Sequence, residues 1–85
     1  MKNNQLVYIV YTIDNLCGDI YTDILGVFKT YEKAEECIKS DKRDAILSID
    51  NGESRFNKET YMEGPRSIRD PFFRLEWYIE EHELI

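Results

Sequence analysis

The single histidine and the glutamates around it are the residues of this sequence best suited to bind a metal ion. His82 lies among Glu80, Glu81 and Glu83, and on a β-strand the side chains of Glu80 and His82 share a face. Two such ligands bind a metal weakly, and the sequence has no Cys-x-x-Cys or His-x-x-x-His spacing that would complete a set. We therefore predict a solvated acidic strand end with no metal.

The two cysteines are the candidate nucleophiles. Cys17 lies between Asp14 and Asp19, whose negative charges oppose formation of the reactive thiolate. Cys37 falls on the apolar side of a predicted helix, where cysteine packs as a small hydrophobic residue. An enzyme that uses Cys17 or His82 stays an alternative, although no local sequence motif supports it. Since the sequence also lacks a glycine-rich phosphate loop, we predict no catalytic residue, no cofactor and no enzymatic activity.

The charge balance restricts the partners of this chain. Its 85 residues include 17 acidic and 11 basic side chains, which gives a net charge of −6. Direct binding to nucleic acid or to anionic membranes requires a basic surface. No apolar run approaches the roughly 20 residues of a membrane span. We predict one soluble domain over residues 1–85, with a protein partner that has a basic surface.

The first half of the chain predicts a β-hairpin that leads into a helix. Residues 6–13 are apolar on both faces, which favours an interior strand, and residues 14–19 are typical of a turn. Residues 20–28 form the returning strand, where Gly26 marks a bulge. Thr30 is the predicted N-cap of a helix over residues 31–39. Its apolar face comprises Tyr31, Ala34, Cys37 and Ile38.

The residues after this helix are open to two interpretations. The first is a strand over residues 45–49, a type I′ turn at Asn51-Gly52 and a returning strand from residue 54. The second is a longer helix through residues 45 and 46. The charged residues Asp41 and Lys42 interrupt the apolar period, so we favour the hairpin.

The end of the chain predicts a long loop over residues 59–71 and a strand over residues 72–84. Apolar and charged residues alternate in that strand, which is typical of a half-buried position. The fold class is therefore α+β, an antiparallel sheet with one α-helix packed on one face in the order β-β-α-β-β-β.

The aromatic residues indicate an interaction surface. They make up 13% of the chain, and the first two strands are apolar on both faces although one helix covers only one. Either the segment 45–61 covers the second face, or that face is an interface. Five residues of the last strand are the candidate partner-binding residues: Glu76, Tyr78, Glu80, Glu81 and Glu83.

Three segments resemble a family of small uncharacterised bacterial and phage proteins: VYIVY at 7–11, LGVFKTYEKAEECI at 25–38 and WYIEEHEL at 77–84. The resemblance implies a β-β-α-β core and a phage or mobile-element setting, and it provides no catalytic residues. The sequence shows neither a membrane span nor the cleavage site of a secretory signal, so we expect the protein in the cytoplasm of a bacterial host cell. The first functional hypothesis is a non-enzymatic, acidic protein-interaction module. Its narrower form is a phage-encoded inhibitor of a bacterial defence nuclease, similar to an anti-CRISPR protein, that blocks a basic nucleic-acid-binding surface. The alternative is a homodimeric housekeeping or regulatory protein.

Overall fold

The computed structural model describes residues 5–84, which form an antiparallel sheet and one helix. The elements are β1 (Gln5–Leu16), β2 (Asp19–Phe28), α1 (Tyr31–Asp50), β3 (Met62–Gly64), β4 (Ser67–Arg69) and β5 (Phe73–Leu84). The five strands lie in the order β2-β1-β5-β4-β3. These elements confirm the α+β class, with the helix between the second and third strands.

The hairpin of β1 and β2 is confirmed, and its turn contains only Cys17 and Gly18. Both residues have positive φ angles, of 52° and 99°. Two-residue hairpin turns of type I′ require this conformation because it matches the twist of the strands. The expected bulge is also present: Val10 pairs with Gly26 and Tyr11 with Ile24, which leaves Leu25 as the extra residue.

The helix end predicted at residue 39 and the strand predicted over residues 45–49 are wrong, because α1 continues to Asp50. The returning strand predicted from residue 54 is also wrong, since residues 51–61 form no strand. Asp41 interrupts the apolar period, but this charged residue does not end the helix. Ala34, Ile38, Asp41, Ala45 and Ile49 follow one another at intervals of four, three, four and four residues, so they form one continuous face of the helix. Asp41 is satisfied there by the indole Nε1–H of Trp77, which donates to its Oδ2 at 2.8 Å.

The predicted turn at Asn51-Gly52 is the end of α1 and not a hairpin. Gly52 has a φ angle of 75°, its N–H donates to Ile49, and the N–H of Glu53 donates to Ser48. These two bonds satisfy carbonyls at the helix C-terminus, as in a Schellman motif. Asn-Gly supplies positive φ in both contexts, so the local sequence does not separate a hairpin from a helix end. The N-cap is confirmed, since Thr30 Oγ1 accepts from the Lys33 N–H at 3.2 Å.

The last part of the chain contains two short strands in the region predicted as loop. β4 pairs with the first residues of β5, Arg74 to Glu76, and β3 pairs with β4. The long final strand is confirmed, and it lies between β1 and β4. Trp77 at its centre is almost fully buried. The core between α1 and the sheet consists of Val10, Ala34, Ile38, Ile49, Phe56, Ile68 and Trp77. No helix among residues 5–84 has the length and apolar character needed to cross a membrane.

Candidate interaction surface

The helix covers only one face of the sheet. Antiparallel partners point to the same side, so Val10 with Ile79 and Thr12 with Trp77 define the face that packs against α1. The segment 45–61 completes the core on this same side through Ile49 and Phe56. It therefore leaves the second face of the sheet uncovered. The alternative in which segment 45–61 covers that face is wrong.

We call this second face the open face. It consists of Ile9, Tyr11 and Ile13 of β1, Ile20, Thr22, Ile24 and Val27 of β2, and Glu76, Tyr78 and Glu80 of β5. The β2 residues are the most exposed, at 66% for Ile20, 69% for Ile24 and 59% for Val27. A shallow depression of about 440 Å³ lies over Ile9, Tyr11 and Ile24. Contiguous exposed apolar surface of this kind is typical of sites that bind another molecule.

Two side chains of β5 place aromatic and acidic groups together at the middle of the open face. Tyr78 stacks on Tyr11 of β1, with the ring centroids 5.3 Å apart and the planes 16° apart. Partial burial and the negative charge of Glu76 raise the pKa of Tyr78. Further along the strand, Glu80 contacts the imidazole of His82. The surface is thus apolar on its β2 side and acidic along β5.

The structure divides the five candidate partner-binding residues between the two faces. Glu76, Tyr78 and Glu80 lie on the open face, whereas Glu81 and Glu83 pair with Tyr8 and Leu6 on the opposite side. This division was predictable from the sequence, because alternate residues of a strand point to opposite faces. The apolar residues of β2 were not among the candidates, although their exposure is the strongest feature of the surface. Their position became recognisable only once β2 was known to be the edge strand.

The cysteines and the histidine do not come together. Cys17 lies beside Phe72 at one end of the sheet, and His82 lies ten residues further along β5, which corresponds to about 30 Å. Cys37 lies on the helix side of the sheet, where burial, followed by the charge of Asp41, raises the pKa of its thiol. A raised pKa reduces the reactive thiolate. Among residues 5–84, no three side chains of the metal-binding types converge. The absence of enzymatic activity stays a prediction.

Comparisons with known proteins add a family. A search of curated proteins and a search of solved structures each returned no significant match. A family model described as a domain of unknown function, DUF7336, matches residues 5–63. The matched range includes β1, β2 and α1 and ends in β3, so the WYIEEHEL segment of β5 lies outside it. The match confirms the resemblance to an uncharacterised family and does not bear on a bacterial or phage setting. Because it spans more than half of the 85 residues, the chain belongs to the DUF7336 family.

Proposed function

We propose that the protein is a non-enzymatic interaction module that binds a protein partner through the open face. The observation that carries this proposal is the exposure of Ile20, Ile24 and Val27 on one side of the edge strand β2. Full removal of an isoleucine side chain from water is worth about 1.5–3 kcal/mol, from which the costs of association must be subtracted. Tyr11 and Tyr78 add the aromatic residues that are enriched at interfaces.

The charge of the molecule favours a basic partner over a second copy. The net charge is −6, and Glu76 and Glu80 lie along the apolar residues of the open face. A second copy would bring the same net charge into the complex, whereas lysine and arginine on a different protein would be attracted. The narrower hypothesis, inhibition of a bacterial defence nuclease, is one such partner class and stays a prediction, as does the cytoplasmic location.

Capture from a bacterial lysate, followed by mass spectrometry, tests the open face with two matched baits. Ile24→Glu places a charge at the centre of the face, and Phe72→Glu makes the same change at a loop residue that is 71% exposed. We expect one basic protein to be retained by wild type and by Phe72→Glu and to be lost with Ile24→Glu. Equal retention by all three baits would contradict the proposal.

Adjacent glutamates provide a second test with the captured partner. Glu80 lies on the open face and Glu81 on the opposite face, so Glu80→Lys and Glu81→Lys change the net charge equally at neighbouring positions. We expect Glu80→Lys to weaken binding about fivefold or more and Glu81→Lys to have a smaller effect. Isothermal titration calorimetry measures both. Equal effects would indicate that only the net charge matters.

Light scattering of the purified protein distinguishes the homodimer alternative. The proposal expects a monomer at micromolar concentration, because the acidic copies repel one another. A dimer that Ile24→Glu abolishes would assign the open face to self-association and would contradict the basic partner.

A further inference from the structure

A groove lies on the helix side of the molecule, between the second half of α1 and the turn that joins β3 to β4. Its volume is about 330 Å³, and Ile38, Ile46, Leu47 and Pro65 form its apolar floor. Leu47 is 53% exposed, although it lies beside the buried residues of the helix. Binding pockets commonly combine such an apolar floor with a few polar groups.

The polar groups of this groove are mainly basic. Lys42 is already engaged, since its Nζ donates to the Gly64 carbonyl at 2.5 Å and lies 3.1 Å from Glu63. Lys39 and Arg43 also line the groove, and neither forms an ion pair with a carboxylate in the described part of the chain. They are four residues apart on the helix, where like charges destabilise each other. Two cations without an ion-pair partner among residues 5–84, beside an apolar floor, stand out in a protein with a net charge of −6.

The other flank of α1 provides a contrast within the same molecule. A groove of about 360 Å³ lies there over Leu25 and Phe28, and its charged residues are Asp41 and Asp44. The two grooves therefore have similar volumes and opposite charges on the two sides of one helix. A ligand that distinguishes them must do so by its charge.

We propose that the groove beside Lys39 and Arg43 binds a short acidic segment of a protein. Its carboxylates pair with these two cations, and its apolar side chains lie on Ile46 and Leu47. Residues 38–47 of a helix extend over about 14 Å, which is the length of roughly four residues in an extended strand. An extended segment of that length presents two side chains on one side. This site lies across the sheet from the open face, so it does not depend on the proposed function.

A short peptide and its charge-reversed form test the proposal. The probe is a blocked pentapeptide, Glu-Leu-Glu-Leu-Glu, whose leucines share one side when the chain is extended. The control replaces each glutamate with lysine. NMR titration of the full chain is expected to show amide shifts for Ile46, Leu47 and Arg43 with the acidic peptide only. No shifts at these three residues with the acidic peptide, or equal shifts there with both peptides, would overturn the proposal.

Two variants with the same net charge locate the site on the helix. Arg43 lines the groove, whereas the exposed Lys33 lies in the first turns of α1 and outside it. Arg43→Glu is expected to weaken binding of the acidic peptide about fivefold or more, and Lys33→Glu less than twofold. Equal effects of the two variants would show that the peptide responds to net charge alone, and amide shifts confined to Asp41 and Asp44 would place it on the wrong flank. Either result would overturn the proposal.

Discussion

At the scale of single residues, the hairpin turn contains a cysteine in an unfavourable backbone conformation. Cys17 adopts a φ angle of 52°, a left-handed conformation in which its Cβ approaches the following carbonyl oxygen. Asparagine tolerates this conformation better, and Asn-Gly is the preferred pair for a type I′ turn. Among residues 5–84, the one hydrogen bond of the Cys17 side chain is long, at 3.8 Å from its Sγ to the Phe72 carbonyl oxygen. The stability of the turn therefore does not explain a cysteine at this position.

The Cys17→Asn substitution is expected to stabilise the protein. Relief of the left-handed conformation is worth about 0.5–1 kcal/mol, which raises the Tm by roughly 3–6 °C in a domain of this size. Thermal unfolding followed by circular dichroism measures the change. Cys17→Ala removes the same thiol without favouring positive φ, so it should give no gain. A similar gain from alanine would show that loss of the thiol is responsible.

At the scale of elements, the length of α1 depends on contacts with the sheet. Asp41 occupies an apolar position of the helix face and accepts a hydrogen bond from the buried Trp77. Lys42 beside it donates to the turn between β3 and β4. The two residues that interrupt the apolar pattern thus form the hydrogen bonds that connect the helix to β5 and to that turn. Tertiary contacts override the local signal there.

Loss of the Asp41 carboxylate is expected to destabilise the protein. Asp41→Ala leaves the indole N–H of Trp77 buried without a partner, which costs about 1–2 kcal/mol after the better helix propensity of alanine is included. Urea unfolding measures the difference. Asp44→Ala makes the same change at an exposed position one turn away and should stay within about 0.5 kcal/mol of wild type. Equal stability of the two variants would contradict the role of the Trp77 bond.

At the scale of the whole molecule, the sheet extends beyond its core. The radius of gyration is 15.0 Å, compared with about 12 Å for a compact domain of this length. The principal dimensions are 56, 24 and 18 Å. Three strands of ten to twelve residues with a single helix on one side account for this shape. An elongated molecule presents more of its sheet to a partner, which is consistent with binding through the open face.

The resistance of the fold to acid depends on a carboxylate that joins separate segments. Asp70 accepts hydrogen bonds of 2.8 Å from the backbone N–H groups of Asn57, Phe72 and Phe73. Burial raises its pKa, but these N–H groups and the charge of Arg55 outweigh burial and lower the pKa below the usual value. A lowered pKa means that the ionised form stabilises the folded state. This stabilisation is complete above the unfolded pKa of about 3.9 and is lost as the pH falls through the folded value.

The Asp70→Asn substitution is expected to lower stability at neutral pH and to flatten its pH dependence. We expect a loss of about 1–2 kcal/mol at pH 7, since a neutral amide accepts the three N–H bonds less well. The difference from wild type should narrow at about pH 2.5. Urea unfolding at both pH values measures it, with Asp44→Asn as the exposed control. A constant difference at all pH values would contradict the role of ionised Asp70.

The amino-acid sequence by itself determined the first hairpin, the start of the helix, the final strand and the fold class. These features depend on local periodicity, on a capping hydroxyl at Thr30 and on turn residues, all of which act over a few positions. The continuation of the helix to Asp50 was decided by tertiary structure, because the following Asn-Gly suits two backbone contexts and the contacts of Asp41 and Lys42 select one.

The candidate surface shows the same limit. Alternation in β5 places Glu76, Tyr78 and Glu80 on one face, and the sequence was sufficient for that. The sequence did not show that β2 lies at the edge of the sheet or that segment 45–61 packs on the helix side. Those facts depend on which strands pair and where a loop folds back, over separations that periodicity does not reach. The apolar side chains of β2 are exposed because β2 is an edge strand and segment 45–61 does not cover them.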